Sequence, residues 1–216
     1  MPEIFPSLIS ADILNLESEI KKFDPLCAGY HIDIMDNNFV PNLTWGSQFA
    51  NAIAHCTNKK TWVHLMVEKP EILFSKLLLP EGSIVTFHIE HTSNKKNLVK
   101  QIKEKNCLPS IAINPKTPVS ELFTFLDKDI HQILLMSVEP GFSGQQFIPE
   151  VIDKIEPLIL FREANNLNFK LSMDGGINEK NIVLISQKGV EQFGIASGIF
   201  AQADPVTALN ELTKLI

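Results

Sequence analysis

The chain has a single arginine, Arg162, and a net charge of −6 over 216 residues. Phosphodiester backbones are bound through clustered lysine and arginine, so this shortage argues against a nucleic-acid partner. Cysteine is scarce as well. Cys27, Cys56 and Cys107 are widely separated and show no CxxC spacing, which excludes a disulfide framework and a thiolate zinc site and leaves three small buried hydrophobes. No apolar stretch approaches the ~20 residues of a membrane span, and the opening "MPEIFPSLISADIL" lacks a basic segment followed by an apolar run. No membrane association and a cytoplasmic location are therefore expected. GxGxxG is missing, and the first strand-like run leads into "SADILN" instead of a Gly-rich turn, which counts against an open dinucleotide-binding sheet. Low-complexity tracts, charge blocks and Gly/Ser linkers are lacking too. Residues 1–216 are accordingly expected to form one domain.

What is there is a rhythm. Hydrophobic residues at 44% and charged residues at 20% describe an ordinary globular core. Short apolar runs recur as "EIFPSLIS", "YHIDIMD", "TWVHLMV", "SIVTFHI", "PSIAIN", "QILLMSV", "FKLSMDG" and "VEQFGIAS", one about every 27 residues. That step fits one strand plus one crossover helix. Between them lie segments of helical spacing: "KKNLVKQIKEK" aligns Leu98, Val99 and Ile102, and "PEVIDKIEPLIL" aligns Val151, Ile155, Leu158 and Ile159. Pro149 suits the start of the second helix, whereas Pro157 predicts a kink or an early stop. Eight such units predict an α/β fold, a (β/α)8 TIM barrel, whose functional groups come from the C-terminal ends of strands and the loops that follow.

Chemistry-bearing residues fall at those ends. His31 and Asp33 are two apart on strand two, so the pleat sends both side chains the same way. His64 lies on strand three, and Asp174 closes strand seven. A histidine alone in such a run is most often structural. Two imidazoles and two carboxylates pointing into a core must find partners or cost roughly 2–7 kcal/mol each, and a shared divalent cation such as Zn²⁺, Mn²⁺ or Fe²⁺ would supply one. His55, His88, His91 and His131 are read as structural, with His88 the nearest to a strand end. Asp36 falls where strand two gives way to "NNFVPN" and is read as shaping that turn.

Gly-rich loops follow strands six, seven and eight: "PGFSGQ", "DGGI" and "ASGIF". Backbone N–H groups and a helix dipole hold a phosphate without lysine or arginine, which suits a chain with one arginine. Tight turns are the plainer account of any one loop; three on the same rim favour phosphate. Met35, Met66 and Met136 lie on strands that point at the same place, either as ordinary packing or as an apolar lid that keeps water from a charged intermediate.

Together "PSLISAD", "HIDIMDNNFVPNLTWG", "VHLMVEKP", "LLMSVEPGFSGQQFIPEVIDKI" and "MDGGI" resemble, in order and over nearly the full length, the motifs of the ribulose-phosphate 3-epimerase family. The resemblance implies a barrel of the ribulose-phosphate-binding type that interconverts D-ribulose 5-phosphate and D-xylulose 5-phosphate in the pentose phosphate pathway. It implies one divalent metal ion per subunit (Zn, Fe(II) or Mn), held by His31, Asp33, His64 and Asp174, with Asp33 and Asp174 as the acid/base pair. Ser10, at the end of strand one, and His64 would contact the sugar phosphate. Met35, Met66 and Met136 would form an apolar shell, and Gly141, Phe142, Ser143, Gly144, Gly175, Gly176, Ala196 and Ser197 the phosphate cradle. A homo-oligomer is expected. Asn37 and Asn38 stand where the family usually has Gly-His, and both Ser143 and Ala196 replace a usual glycine.

Inverting a carbon beside a ketone requires one group to remove a proton from one face and a second to return a proton to the other. Two aspartates meet that need, and a cation neutralises the charge that builds on the enediolate. A 3-epimerase of a related ketose phosphate, such as allulose 6-phosphate, uses the same chemistry. A Schiff-base aldolase would need a lysine at a strand's inner end, and Lys170 opens strand seven instead of closing it. A barrel that only binds metal or sugar phosphate would have no use for two acid/base groups.

Overall fold

A computed structural model describes residues 1–90, 92 and 94–216. All eight apolar runs form strands, because runs buried on both faces favour a parallel sheet covered by helices. They are β1 Glu3–Pro6, β2 Gly29–Met35, β3 Lys60–Met66, β4 Ile84–His88, β5 Leu108–Ile113, β6 Gln132–Met136, β7 Lys170–Asp174 and β8 Gln192–Ile195. The helices among the described residues are α1 Leu16–Phe23, α2 Ser47–Cys56, α3 Pro70–Ser75, α4 Lys95–Glu104, α5 Ser120–Phe123, α6 Ile155–Ala164, α7 Ile182–Gln187, α8 Ser197–Phe200 and α9 Pro205–Lys214. The strands pair in parallel in the order β1-β8-β7-β6-β5-β4-β3-β2. A parallel bridge between Ser7 and His31 brings β2 back to β1, and the Ala28 N–H donates to the Ile4 carbonyl at 3.1 Å. The architecture is a (β/α)8 TIM barrel. Among the described residues no helix is long and apolar enough to cross a membrane.

Alternation along each strand divides two cores. Phe5, Trp62, Ile84, Ala112, Leu134 and Met136 pack inside the barrel, while Ile32, Ile34, Val63, Leu65, Val85 and Phe87 belong to the larger layer under the helices. In α4 the predicted stripe of Leu98, Val99 and Ile102 is buried, and Asn94 caps the helix by accepting from the Asn97 N–H. Burying each aliphatic side chain of this size contributes about 1.5–3 kcal/mol, more than helix propensity supplies.

Three local expectations change. The first run is a strand only to Pro6; Leu8–Ser10 then turns as a 3₁₀ helix. Pro157 neither kinks nor stops its helix. The chain runs as a 3₁₀ helix over Pro149–Lys154 and turns α-helical at Ile155, so Pro157 falls in the first turn of α6, where its missing N–H has no intrahelical acceptor to lose. Cys27 and Cys107 are buried, but Cys56 is only half-buried; all three are free thiols.

The N-terminal mouth of the barrel is closed by polar contacts. Glu3 Oε1 accepts from Lys60 Nζ at 3.1 Å, and Oε2 accepts from Lys170 Nζ at 3.0 Å and Gln192 Nε2 at 2.7 Å. Lys170 thus points away from the opposite mouth. Burial works against the charge on Glu3, but these donors hold its carboxyl at about 2, below the ordinary 4.5. A depressed folded-state value means that the stabilisation is complete above about 4.5 and fades as pH falls towards 2. Glu3→Gln should therefore flatten the acid limb of the stability curve in that window. Denaturant midpoints measured against pH test this, and an unchanged slope contradicts it.

Candidate active site and metal centre

The register of the barrel sets the neighbours at its C-terminal mouth. Asp33 is paired with His64 and Met35 with Met66 across β2 and β3; Met136 is paired with Asp174 across β6 and β7, and Asp174 with Gly194 on β8. Gly194 leaves room there: a Cβ would lie 2.9 Å from His31 Nδ1 and 3.3 Å from the Asp174 carboxyl. His31 is wedged against Trp62, their ring centroids 4.4 Å apart, and Trp62 is fixed by donating from Nε1 to Thr86 Oγ1 at 2.7 Å.

His31, Asp33, His64 and Asp174 converge. Asp33 Oδ1 lies 3.0 Å from His31 Nε2 and 3.0 Å from His64 Nδ1, while Asp174 Oδ2 lies 3.6 Å and 3.7 Å from the same nitrogens. One ligand atom from each residue falls within 4.8 Å of all the others. Donors about 2.1 Å from a common tetrahedral centre sit about 3.4 Å apart, so two nitrogens and two oxygens at these spacings fit a divalent cation. Their burial makes the same point: without a cation, two carboxylates share a largely buried site.

The electrostatics separate the two acids. Burial opposes the Asp33 charge, yet His31 and His64 hold its carboxyl well below the usual carboxylate range. Burial and the Asp33 charge push Asp174 up to about 7, against the pull of His31. Burial also opposes charge on His31, but the Asp33 and Asp174 carboxylates outweigh it and raise the ring. His64 is pushed down to about 4, chiefly by burial, which leaves it a neutral imidazole. Opposite shifts on adjacent carboxyls are what separate acid and base roles require.

A cleft opens over the cluster. Its lining includes Asp33 and Asp174, the three methionines, and the loop residues Gly141, Phe142, Ser143, Gly144, Gly175, Gly176, Ala196 and Ser197. The predicted acids, apolar shell and cradle are therefore brought together. Gly176 has φ +65°, and a Cβ there would come 2.6 Å from the Phe147 N, so this turn needs glycine. Ala196, by contrast, has φ −98°, outside the left-handed region that favours glycine. Asn37 adopts φ 57°, the left-handed conformation that asparagine tolerates. Asp36 shapes the turn as expected: Oδ1 accepts from the Asn38 and Phe39 N–H groups, and Oδ2 from the Glu68 N–H.

One placement needs correction. Ser10 does not close strand one; it ends the 3₁₀ turn and meets the Ser143 hydroxyl at 2.6 Å. The residue that lines the cleft here is Ser7, whose hydroxyl donates to Asp33 Oδ2 at 2.6 Å. His64, expected to contact the sugar, is wholly buried and sits behind the residues that line the cleft. His88, read as structural, is in contact with the cluster: its Nε2 lies 2.9 Å from His64 Nε2. Its signal in the sequence is parity: it follows Thr86 by two on β4, one strand over from His64. His55 and His131 stay outside the site, and His91 lies outside the described residues.

The sequence profile of the "Ribulose-phosphate 3 epimerase family" matches residues 3–200. A "Ribulose-phosphate 3-epimerase" of Methanocaldococcus jannaschii is 36% identical over 215 residues, covering 99% of this chain and 91% of that protein. One from Escherichia coli K12 is 36% identical over 213 residues, covering 97% and 93%. A "cytoplasmic isoform" from Oryza sativa subsp. japonica is 34% identical over 218 residues, covering 99% and 94%. Among solved structures, KGPDC from Streptococcus mutans superposes with a TM-score of 0.72 at 14% identity, covering 100% of this chain and 97% of that one. That similarity concerns the fold alone.

Proposed function

The chain belongs to the ribulose-phosphate 3-epimerase family and is an epimerase, and we propose that it interconverts D-ribulose 5-phosphate and D-xylulose 5-phosphate in the cytoplasm. The observation that carries this reading is the entry of Asp33 and Asp174 into one cleft from β2 and β7, with β8 and β1 between them. A sugar seated between the two carboxyls presents C3 to one on each side. One carboxylate oxygen removes the C3 proton, and the other carboxyl returns a proton to the opposite face; the roles exchange in the reverse direction. Ser7 orients Asp33 through its hydrogen bond.

His31, Asp33, His64 and Asp174 are the residues that would hold a divalent cation. When bound, it supplies Lewis-acid stabilisation of the charge that develops on the substrate oxygens. Met35, Met66 and Met136, each 2% exposed, exclude water from the face of the planar intermediate. Among the described residues no lysine or arginine lines the cleft, so the phosphate falls to backbone N–H groups of the loops after β6, β7 and β8.

The test is incubation with ribulose 5-phosphate in heavy water, with allulose 6-phosphate run in parallel. The expected result is deuterium at C3 together with xylulose 5-phosphate, and faster turnover of the pentose phosphate. Absence of C3 exchange, or a clear preference for allulose 6-phosphate, overturns the assignment.

A further inference from the structure

Behind the cluster lies a second chain of polar groups that the proton transfer does not use. His64 Nδ1 faces the carboxylates, and on the far side of the ring His64 Nε2 lies 2.9 Å from His88 Nε2. The two ring centroids are 5.0 Å apart with planes within 19°, so the imidazoles meet edge to edge in nearly one plane, the direction in which a ring lone pair points. His88 Nδ1 lies 3.3 Å from Glu90 Oε2. Glu90 Oε1 accepts from the Asn114 N–H at 2.7 Å and from Thr117 Oγ1 at 2.6 Å. Lys154 Nζ in turn donates to the carbonyls of Asn114 and Thr117 at 2.8 Å and 2.7 Å, fixing the turn that grips the carboxylate.

We propose that Glu90 and His88 set the tautomer of His64, and through it the affinity of the four-residue cluster for a divalent cation. This rests on the reading that the cluster holds such a cation. A carboxylate only accepts, so a neutral His88 carries its proton on Nδ1 and turns the lone pair of Nε2 towards His64. His64 must then donate from Nε2, which leaves the Nδ1 lone pair free on the cluster side, as ligation demands. Glu90 stays ionised for this work: burial opposes its charge, but His88, Asn114 and Thr117 hold the carboxyl at about 2. Both residues are positioning residues, since neither lines the cleft.

Glu90→Gln tests the inference because it keeps the shape and inverts the polarity. The Asn114 N–H, which only donates, holds the amide oxygen on its own side, so the NH₂ faces His88. His88 then accepts at Nδ1 and donates from Nε2, and the His64 proton moves to Nδ1, where it blocks ligation. The full chain is titrated with Zn²⁺ in competition with a chromophoric chelator. Wild type should bind one ion, and Glu90→Gln should bind it about 10–100-fold more weakly, with the metal-free melting temperature retained. Equal affinities overturn the inference while leaving the metal reading intact. No binding by wild type overturns both. Nitrogen-15 NMR of the zinc-loaded wild type decides the point without a variant: His88 protonated at Nδ1 and His64 at Nε2 are expected, and a proton on His88 Nε2 overturns the proposal.

Discussion

Asp33→Asn and Asp174→Asn should each lower turnover by several orders of magnitude in a protein that still folds. An amide matches a carboxylate in shape but neither takes nor supplies the proton that epimerisation moves. Loss of one acid/base group costs about 10²–10⁴-fold by itself. Each aspartate also contributes an oxygen to the cluster within 4.8 Å, so the loss of a ligand adds to that figure. Folding should tolerate both changes. Asp174 is buried and pushed up to about 7 by burial and the Asp33 charge, so removing its charge relieves an unfavourable arrangement. In the Asp33→Asn variant the amide oxygen can still accept from Ser7 in place of the carboxylate Oδ2. Turnover measured alongside thermal melts checks both halves; near-wild-type turnover of either variant refutes the roles given to these residues.

Removing divalent metal should abolish activity, and adding Zn²⁺, Mn²⁺ or Fe²⁺ should restore it. The argument is the charge inventory of the site. Asp33 is held ionised and Asp174 lies beside it in a buried pocket, so a cation at the cluster removes their repulsion and fixes His31 and His64 as neutral ligands. Because only the folded chain assembles the four donors, binding also stabilises it, by about 2.7 kcal/mol when the free ion exceeds its dissociation constant 100-fold. Chelation should thus lower both activity and melting temperature, and readdition should restore both. Full activity after verified removal contradicts the account.

Most of the architecture can be read from the chain because parallel barrel strands are buried on both faces, so the eight runs stand out as apolar blocks with inward polar exceptions. His31, Asp33, His64 and Asp174 are visible as those exceptions. What cannot be read depends on how the barrel closes. The apolar run continues through Leu8 and Ile9, which hides the end of β1 at Pro6 and shifts the rim serine from Ser7 to Ser10. His88 and Glu90 look ordinary locally and gain their role from register, which sets His64 beside Thr86, and from a turn at Asn114 and Thr117 far along the sequence. Pro157 misleads for a related reason: its effect depends on where the α-helix starts, and the chain stays 3₁₀ through Lys154.

The most direct measurement is anomalous X-ray scattering at the zinc edge from crystals of the full chain loaded with Zn²⁺. The account predicts one peak per chain about 2.0–2.2 Å from His31 Nε2, His64 Nδ1 and an oxygen of each of Asp33 and Asp174. A peak elsewhere, or none in protein shown to be active, would contradict it.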